Sequence, residues 1–451
     1  MQTLSEPSRE TPLLGEWDIV VLGGGPAGIA AATAAGRAGR RTLLVERYGF
    51  LGGAGTASGV TNFCGLHATI YGAPRQVVHG IADELLARIA ALGGLNAPHL
   101  AFGGRAMAQA YDTAALKIAA DALLAAHRVE LLFHALAVGV AMAGPSLVDA
   151  LLVETKSGRR AIRAALFIDA SGDGDLAAAA GALWDKGDAA GVMLYPSTMF
   201  RINAVEAGAA LAALPSLPAR MERAAAAGSR FPRKGAILRP QRNPLEWRAN
   251  VTQLGNPDGS PVDGTDLWQL SFGEQEGRRQ IAAVFAFLRA EMPGFGDSYI
   301  VDIPPQLGIR ETRRIRGRYA LTEADVLGCA DFPDAIGVNG WPIEAHVAGD
   351  VVLQFPPIPE SRGYNQLPYR MLLPLGLDNV LVAGRCASMT HEGQSAARVS
   401  GPCFVMGEAA GTAAALALAA GVAPAALETG RLQARLAANG AWLGEMATLP
   451  G

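Results

Sequence analysis

Asp18-Ile19-Val20-Val21-Leu22-Gly23-Gly24-Gly25-Pro26-Ala27-Gly28 is the stretch on which the fold turns. A short apolar run of strand length meets a glycine turn, and an alanine-rich stretch follows to Arg37, so it reads as strand, turn and helix. Gly23, Gly25 and Gly28 occupy the G-x-G-x-x-G positions. The first permits the tight turn, the second lets a pyrophosphate approach, and the third lets helix pack on strand. The helix N-terminus, opening with Pro26 and Ala27, then faces the phosphates. A second apolar run, Thr42-Leu43-Leu44-Val45, ends in Glu46, 18 positions beyond Gly28, where an acid accepts hydrogen bonds from ribose hydroxyls. Glycines alone would be a weak signal. Strand, turn, helix, strand and terminal acid in register predict a dinucleotide site, without saying which dinucleotide.

Working outward, Arg47 leads into Phe50-Leu51-Gly52-Gly53-Ala54-Gly55-Thr56, a loop of small residues whose backbone can lie close against a long ligand; Gly52, Gly53, Ala54 and Thr56 are its contact candidates. Residues 129–133, 136–142 and 147–155, with a further run after Ser157-Gly158, predict a small antiparallel meander. Its last strand runs into Asp169-Ala170-Ser171-Gly172-Asp173-Gly174, where Ala170 and Gly172 again expose backbone. Near the far end, Asn379-Val380-Leu381-Val382-Ala383-Gly384-Arg385 predicts a buried strand stopping at glycine. Gly401-Pro402-Cys403 then opens a helix through Gly407 and Gly411.

These segments, in this order, resemble the glutathione-reductase-like flavoproteins with two dinucleotide-binding domains, and more closely the bacterial FAD-dependent oxidoreductases of the FAD_oxidored type. The resemblance also rests on Gly308-Ile309-Arg310-Glu311-Thr312-Arg313-Arg314-Ile315-Arg316-Gly317 and on Ala383-Gly384-Arg385-Cys386. It implies FAD bound extended, with adenosine near residues 23–28 and Glu46 and the isoalloxazine ring near the Gly401 helix. Many relatives carry Gly-Asp where this chain has Gly384-Arg385, so that aspartate's role does not transfer. A single glycine fingerprint backed by an acid is visible, which argues against a second Rossmann domain for NAD(P)H.

The expected fold is α/β: a Rossmann-like FAD-binding domain with a β-meander, plus an inserted α+β substrate or cap domain. The expected boundaries are a flexible tail at 1–16, the first part of the FAD-binding domain at 17–190, the cap at 191–367, and the second part with C-terminal helices at 368–451. A chain of 451 residues, half of them hydrophobic, suffices for such lobes. With 38 basic and 41 acidic residues and a net charge of −3, no footprint for nucleic acid or anionic membrane stands out. A small-molecule substrate is the expected partner, and a homo-oligomer is left open. Cys64, Cys329, Cys386 and Cys403 lie far apart without a C-x-x-C pair, which favours a reducing, cytoplasmic setting and offers no metal cluster. The apolar window 409–420 falls short of the roughly 20 residues that span a bilayer, and is expected to be a buried helix.

Chemistry at a flavin needs orientation, electrostatic tuning and a group that moves the substrate proton. His391, beside Glu392 and before the Gly401 helix, is the proton-transfer candidate; the bland alternative is a structural histidine. Arg310 or Arg314 is expected to anchor an acidic substrate or the flavin, against a plain ion-pair network joining the lobes. Cys64 could approach the ring, though a buried cysteine more often acts as a small hydrophobe. Tyr364, Asn365, Tyr369 and Arg370 are weighed as pocket lining. The expected activity is hydride transfer between a small organic substrate and flavin N5, by a dehydrogenase or oxidase. The alternatives are a monooxygenase or reductase using NAD(P)H without a second Rossmann domain, a redox-neutral hydratase or isomerase, and a non-catalytic electron-transfer subunit.

Overall fold

The structure, a computed structural model, describes residues 3–5, 7–233 and 235–445. Its first strand, β1 (Leu13–Leu22), begins inside the expected tail, because Leu13, Gly15 and Glu16 continue a parallel ladder against residues 161–163. From β1 the glycine turn enters helix α1 (Pro26–Arg37), which returns to β2 (Thr42–Val45), paired parallel to β1. The next strand, β3 (Glu130–Leu132), pairs parallel with the outer side of β2. It is therefore no part of the meander predicted from residue 129. The chain reaches β3 through the helix Thr113–Ala126, and a helical crossover delivers a parallel neighbour. The meander proper is β4 (Leu136–Met142), β5 (Val148–Thr155) and β6 (Gly158–Asp169).

After β6 the chain leaves to build the cap. Its sheet holds β7 (Phe200–Asn203), β8 (Ile237–Pro240), β9 (Trp247–Asn250) and β10 (Tyr299–Asp302), in the order β8-β9-β7-β10 and antiparallel throughout. Helix α2 (Leu267–Glu291) covers one face, and Phe200, Ile202, Leu238, Trp247, Ala249, Ile281 and Leu288 form a core separate from that of the main lobe. This separate core is shorter than the expected span 191–367: Ile315, Val338 and Leu367 pack into the main core instead. The chain enters and leaves the cap side by side. Gly308 N donates to Ser197 O at 2.7 Å and Ser197 N to Gly308 O at 3.2 Å, a two-stranded neck.

The main lobe is completed by β11 (Val380–Val382), α3 (His391–Ala397) and α4 (Ser400–Ala420). The long β6 serves two neighbours on one edge: residues 158–163 pair antiparallel with β5, and residues 167–169 pair parallel with β11. The sheet order is thus β3-β2-β1-β6-β5-β4, with β11 against β6. At 21 residues α4 is long enough to cross a bilayer, so length does not explain its place; most of its apolar window is buried inside the lobe. It crosses α1 at backbone contact. A Cβ on Gly407 would lie 2.0 Å from Ala27 O, and one on Gly411 2.1 Å from Ala31 O.

Candidate active site

A cleft runs from the β1–α1 turn to the cap sheet, lined at its first end by Gly23, Gly25, Pro26, Ala27, Glu46, Arg47, Gly52, Gly53 and Ala54. The three fingerprint glycines are required for different reasons. A Cβ on Gly23 would sit 2.5 Å from Ala170 O, and one on Gly28 1.7 Å from Gly23 O, so these two close the strand–helix packing, and Gly28 does not line the cleft. A Cβ on Gly25 would meet nothing nearer than Gly53 Cα at 3.7 Å. The protein itself leaves that space open, at the start of α1, where no side chain caps the helix and no acid stands in the first turn. Free N–H groups at a helix start, against an open backbone, form an anion cradle. Glu46 is buried at the end of β2; its Oε2 accepts from Gly24 N at 2.6 Å, which aims it at the same turn. Arg47 donates to Gln306 Oε1 at 3.0 Å across the cleft.

Ala170, Gly172, Gly384, Arg385 and Cys403 also line the cleft. Arg385 is a fastener: Nε donates to Gly172 O at 2.9 Å, Nη2 to Asp173 Oδ1 at 2.7 Å, and Nη1 to Ile309 O. Arg385 thus binds the loop after β6 to the chain leaving the cap. Besides Gly28, two expected contact residues lie off the lining. Thr56 closes its own turn through Oγ1 to Leu51 O at 2.7 Å, and Gly401 is a packing contact whose Cβ would lie 2.1 Å from Gly65 O. The thiols of Cys64 and Cys403, both in the lining, are pushed up to about 12 by burial, so neither offers a thiolate.

The expected catalytic residues divide. His391 is outside the lining: it starts α3, with Nδ1 2.9 Å from the fully buried Glu311. Glu311 is itself consumed by Gly187 N and Leu194 N, both at 2.9 Å, and by Arg314. Arg314 also donates to Met389 O at 3.1 Å and Gly187 O at 2.7 Å, so Glu311 and Arg314 form a buried tie, and the half-buried His391 ring lies beside it with Nδ1 making no hydrogen bond. Arg310 does line the cleft, while clamping the cap neck through Tyr195 O at 2.6 Å and Ser197 Oγ at 2.8 Å. Tyr364 and Tyr369 are core residues; Tyr369 donates to Pro424 O at 3.0 Å, Asn365 pairs with Asn339, and Arg370 pairs with Asp334.

The sequence profile of the FAD dependent oxidoreductases matches residues 18–436. The chain belongs to that family. No curated protein matches it. Among solved structures it is similar to p-nitrophenol 4-monooxygenase from Pseudomonas putida, at 14% identity and a TM-score of 0.47 over 98% of this chain and 91% of that one. It is also similar to a geranylgeranyl bacteriochlorophyll reductase-like protein from Thermoplasma acidophilum, at 13% identity and a TM-score of 0.44 over 94% and 82%.

FAD is the cofactor of this FAD dependent oxidoreductase, and the cradle fits its pyrophosphate through Gly25 and the α1 N-terminus and its ribose through Glu46. The other end of the cleft holds residues the sequence did not single out: Arg239, Arg248, Trp341, Glu344, His346 and Arg398. Glu344 accepts from Trp341 Nε1 at 2.8 Å, and its Oε1 lies 3.1 Å from His346 Nε2. Burial, then the field of Arg310, pushes the His346 ring down to about 3. Burial alone would raise the Glu344 carboxyl, but His346 and Arg398 overcome it and bring the group down to about 2. The pair is therefore a carboxylate and a neutral imidazole. With Nε2–H directed at the carboxylate, Nδ1 is left as the acceptor.

Proposed function

We propose that this FAD dependent oxidoreductase moves a hydride between a small organic substrate and flavin N5, and that His346 carries the accompanying proton. The reading is supported most directly by the position of His346: a neutral imidazole in the cleft wall, its ring oriented by Glu344, in the cleft that also holds the phosphate cradle. FAD, when bound, supplies the two-electron acceptor or donor. The protein's share is to exclude water beneath the cap, hold the reacting C–H bond in place, and accept at His346 Nδ1 the proton released from the substrate's oxygen or nitrogen. Glu344 keeps the ring in the tautomer that can accept it.

Anaerobic visible spectroscopy of the FAD-loaded protein against alcohols, amines, hydroxy acids and unsaturated acids tests the reading. At least one class should bleach the flavin, and His346→Gln should slow that bleaching by about 10²-fold or more while retaining the flavin. Bleaching by a nicotinamide with none by any organic substrate would instead support a reductase or monooxygenase. Unchanged bleaching in His346→Gln would remove the histidine from the mechanism.

A further inference from the structure

The cap sheet carries a row of arginines. In the antiparallel ladders Arg201 stands directly opposite Arg248, and Arg248 directly opposite Arg239, so the three share one face. Apolar Trp247, Ala249 and Leu238 alternate with them into the cap core. Like charges placed opposite one another in a ladder are destabilising unless something neutralises them. Arg201 is neutralised within the protein, by Glu246 at 2.8 Å and Asp302 at 3.2 Å. Arg248 and Arg239 are not: neither forms an ion pair among the described residues. Arg248 is 4% exposed, donates to Val60 O, and has no hydrogen-bond partner for Nε. Arg239 meets His99 Nε2, a ring that burial and Arg239 itself hold neutral by pushing it down to about 4.

Two further guanidinium groups, Arg310 and Arg398, enter the same cleft from the main-lobe side, and Arg398 spends an N–H on the Glu344 backbone at 3.1 Å. Four cations therefore line this end against Glu344, whose oxygens are already held by Trp341 and His346. Aromatic and aliphatic side chains, Phe63, Tyr111 and Ile237 among them, fill the surface between the charges.

We infer that Arg239 and Arg248 bind the carboxylate of an organic acid substrate, whose apolar body lies against the aromatic wall. The planar guanidinium fork matches a carboxylate, and the apolar lining suits a carbon skeleton better than a bare inorganic anion. The inference rests on the cap end of the cleft being the substrate end, as in the function proposed above. Occupancy would add the missing counter-charge and so offset the part of the lowering of His346 that, after burial, comes from Arg310 and Arg398.

The probe is benzoate, titrated into the FAD-loaded protein and followed by perturbation of the visible spectrum and by calorimetry, with benzamide as its uncharged isostere and inorganic phosphate as the bare anion. Saturable benzoate binding is expected, at least 10-fold tighter than benzamide or phosphate. It should weaken at least 10-fold in Arg239→Gln and in Arg248→Met with bound flavin retained, and stay unchanged in Arg316→Gln, whose exposed partner is Asp185. Should the buried Arg248 variant fail to fold, the half-buried Arg239 variant decides. Absence of benzoate binding, equal binding of benzamide or phosphate, or unchanged binding in Arg239→Gln overturns the assignment. Carboxylate substrates that bleach the flavin equally in wild type and Arg239→Gln would sink the carboxylate site and leave hydride transfer standing. Benzoate binding lost in both variants, with no substrate bleaching the flavin, would do the reverse.

Discussion

Gly25 and Gly28 lie three positions apart and answer to different masters. At Gly28 the Cβ of any other residue would collide with Gly23 O, so Gly28→Leu should fail to fold. At Gly25 the nearest atom is 3.7 Å away and the backbone is extended, φ −76° and ψ −176°, which any residue adopts. Gly25→Leu should therefore fold with near-wild-type thermal unfolding and purify without flavin, a contrast that absorbance and calorimetry read directly. The buried carboxylate of Glu408 makes a second residue-level case. Burial raises it to about 7, with only Ile81 N donating to Oε2, at 3.1 Å, and Oε1 without a partner. A group raised in the fold contributes stability that is present below its unfolded value of 4.5 and lost as pH rises through 7. Glu408→Gln should leave urea stability at pH 4.5 nearly unchanged and raise it at pH 8 by about 1–3 kcal/mol. His346 acts on the opposite limb. Its lowered value means that stability falls as pH drops below 6.5 towards 3.

At the scale of elements, the crossing of α1 and α4 fixes the phosphate cradle, because Ala27 in the first turn of α1 touches Gly407. The approach leaves no room for a side chain: the Cβ of Gly411→Leu would lie within 2.1 Å of Ala31 O. That substitution should cost about 3 kcal/mol or more in urea unfolding, and flavin should be released in the same transition. The β1–α1–β2 unit was legible because its signals are local: apolar runs, a glycine spacing and an acid at the end of β2. Strand partnership was less so. Residues 129–133 have the same composition as the meander strands, and only the helix preceding them turns β3 toward β2. The arginine row was barely legible, since Arg239 and Arg248 become neighbours through the register of a hairpin and Arg201 through a distant strand. The alternation of Trp247-Arg248-Ala249-Asn250 was the available hint. His391 lies outside the cleft lining for a related reason. Nearness in sequence to the Gly401 helix said nothing of direction, and α3 turns the ring toward Glu311, behind the cleft.

Across the whole molecule, the two ends of the cleft are built by different means. The nucleotide end is assembled from the loops after β1, β2, β6 and β11, fastened by Arg385, and the other end is shared between main-lobe residues, His346 and Arg398 among them, and Arg239 and Arg248 of a lobe with a core of its own. That lobe joins the rest at Ser197 and Gly308, which are bonded to each other and clamped by Arg310. An excursion that starts and finishes on the same rung asks little of its host about what lies between. The entropy of closing a loop grows only with the logarithm of its length, about 0.6 kcal/mol per doubling. A longer, shorter or wholly different lobe could be spliced at this rung while the flavin stays seated, so the chemistry and the choice of molecule it is applied to can be inherited separately.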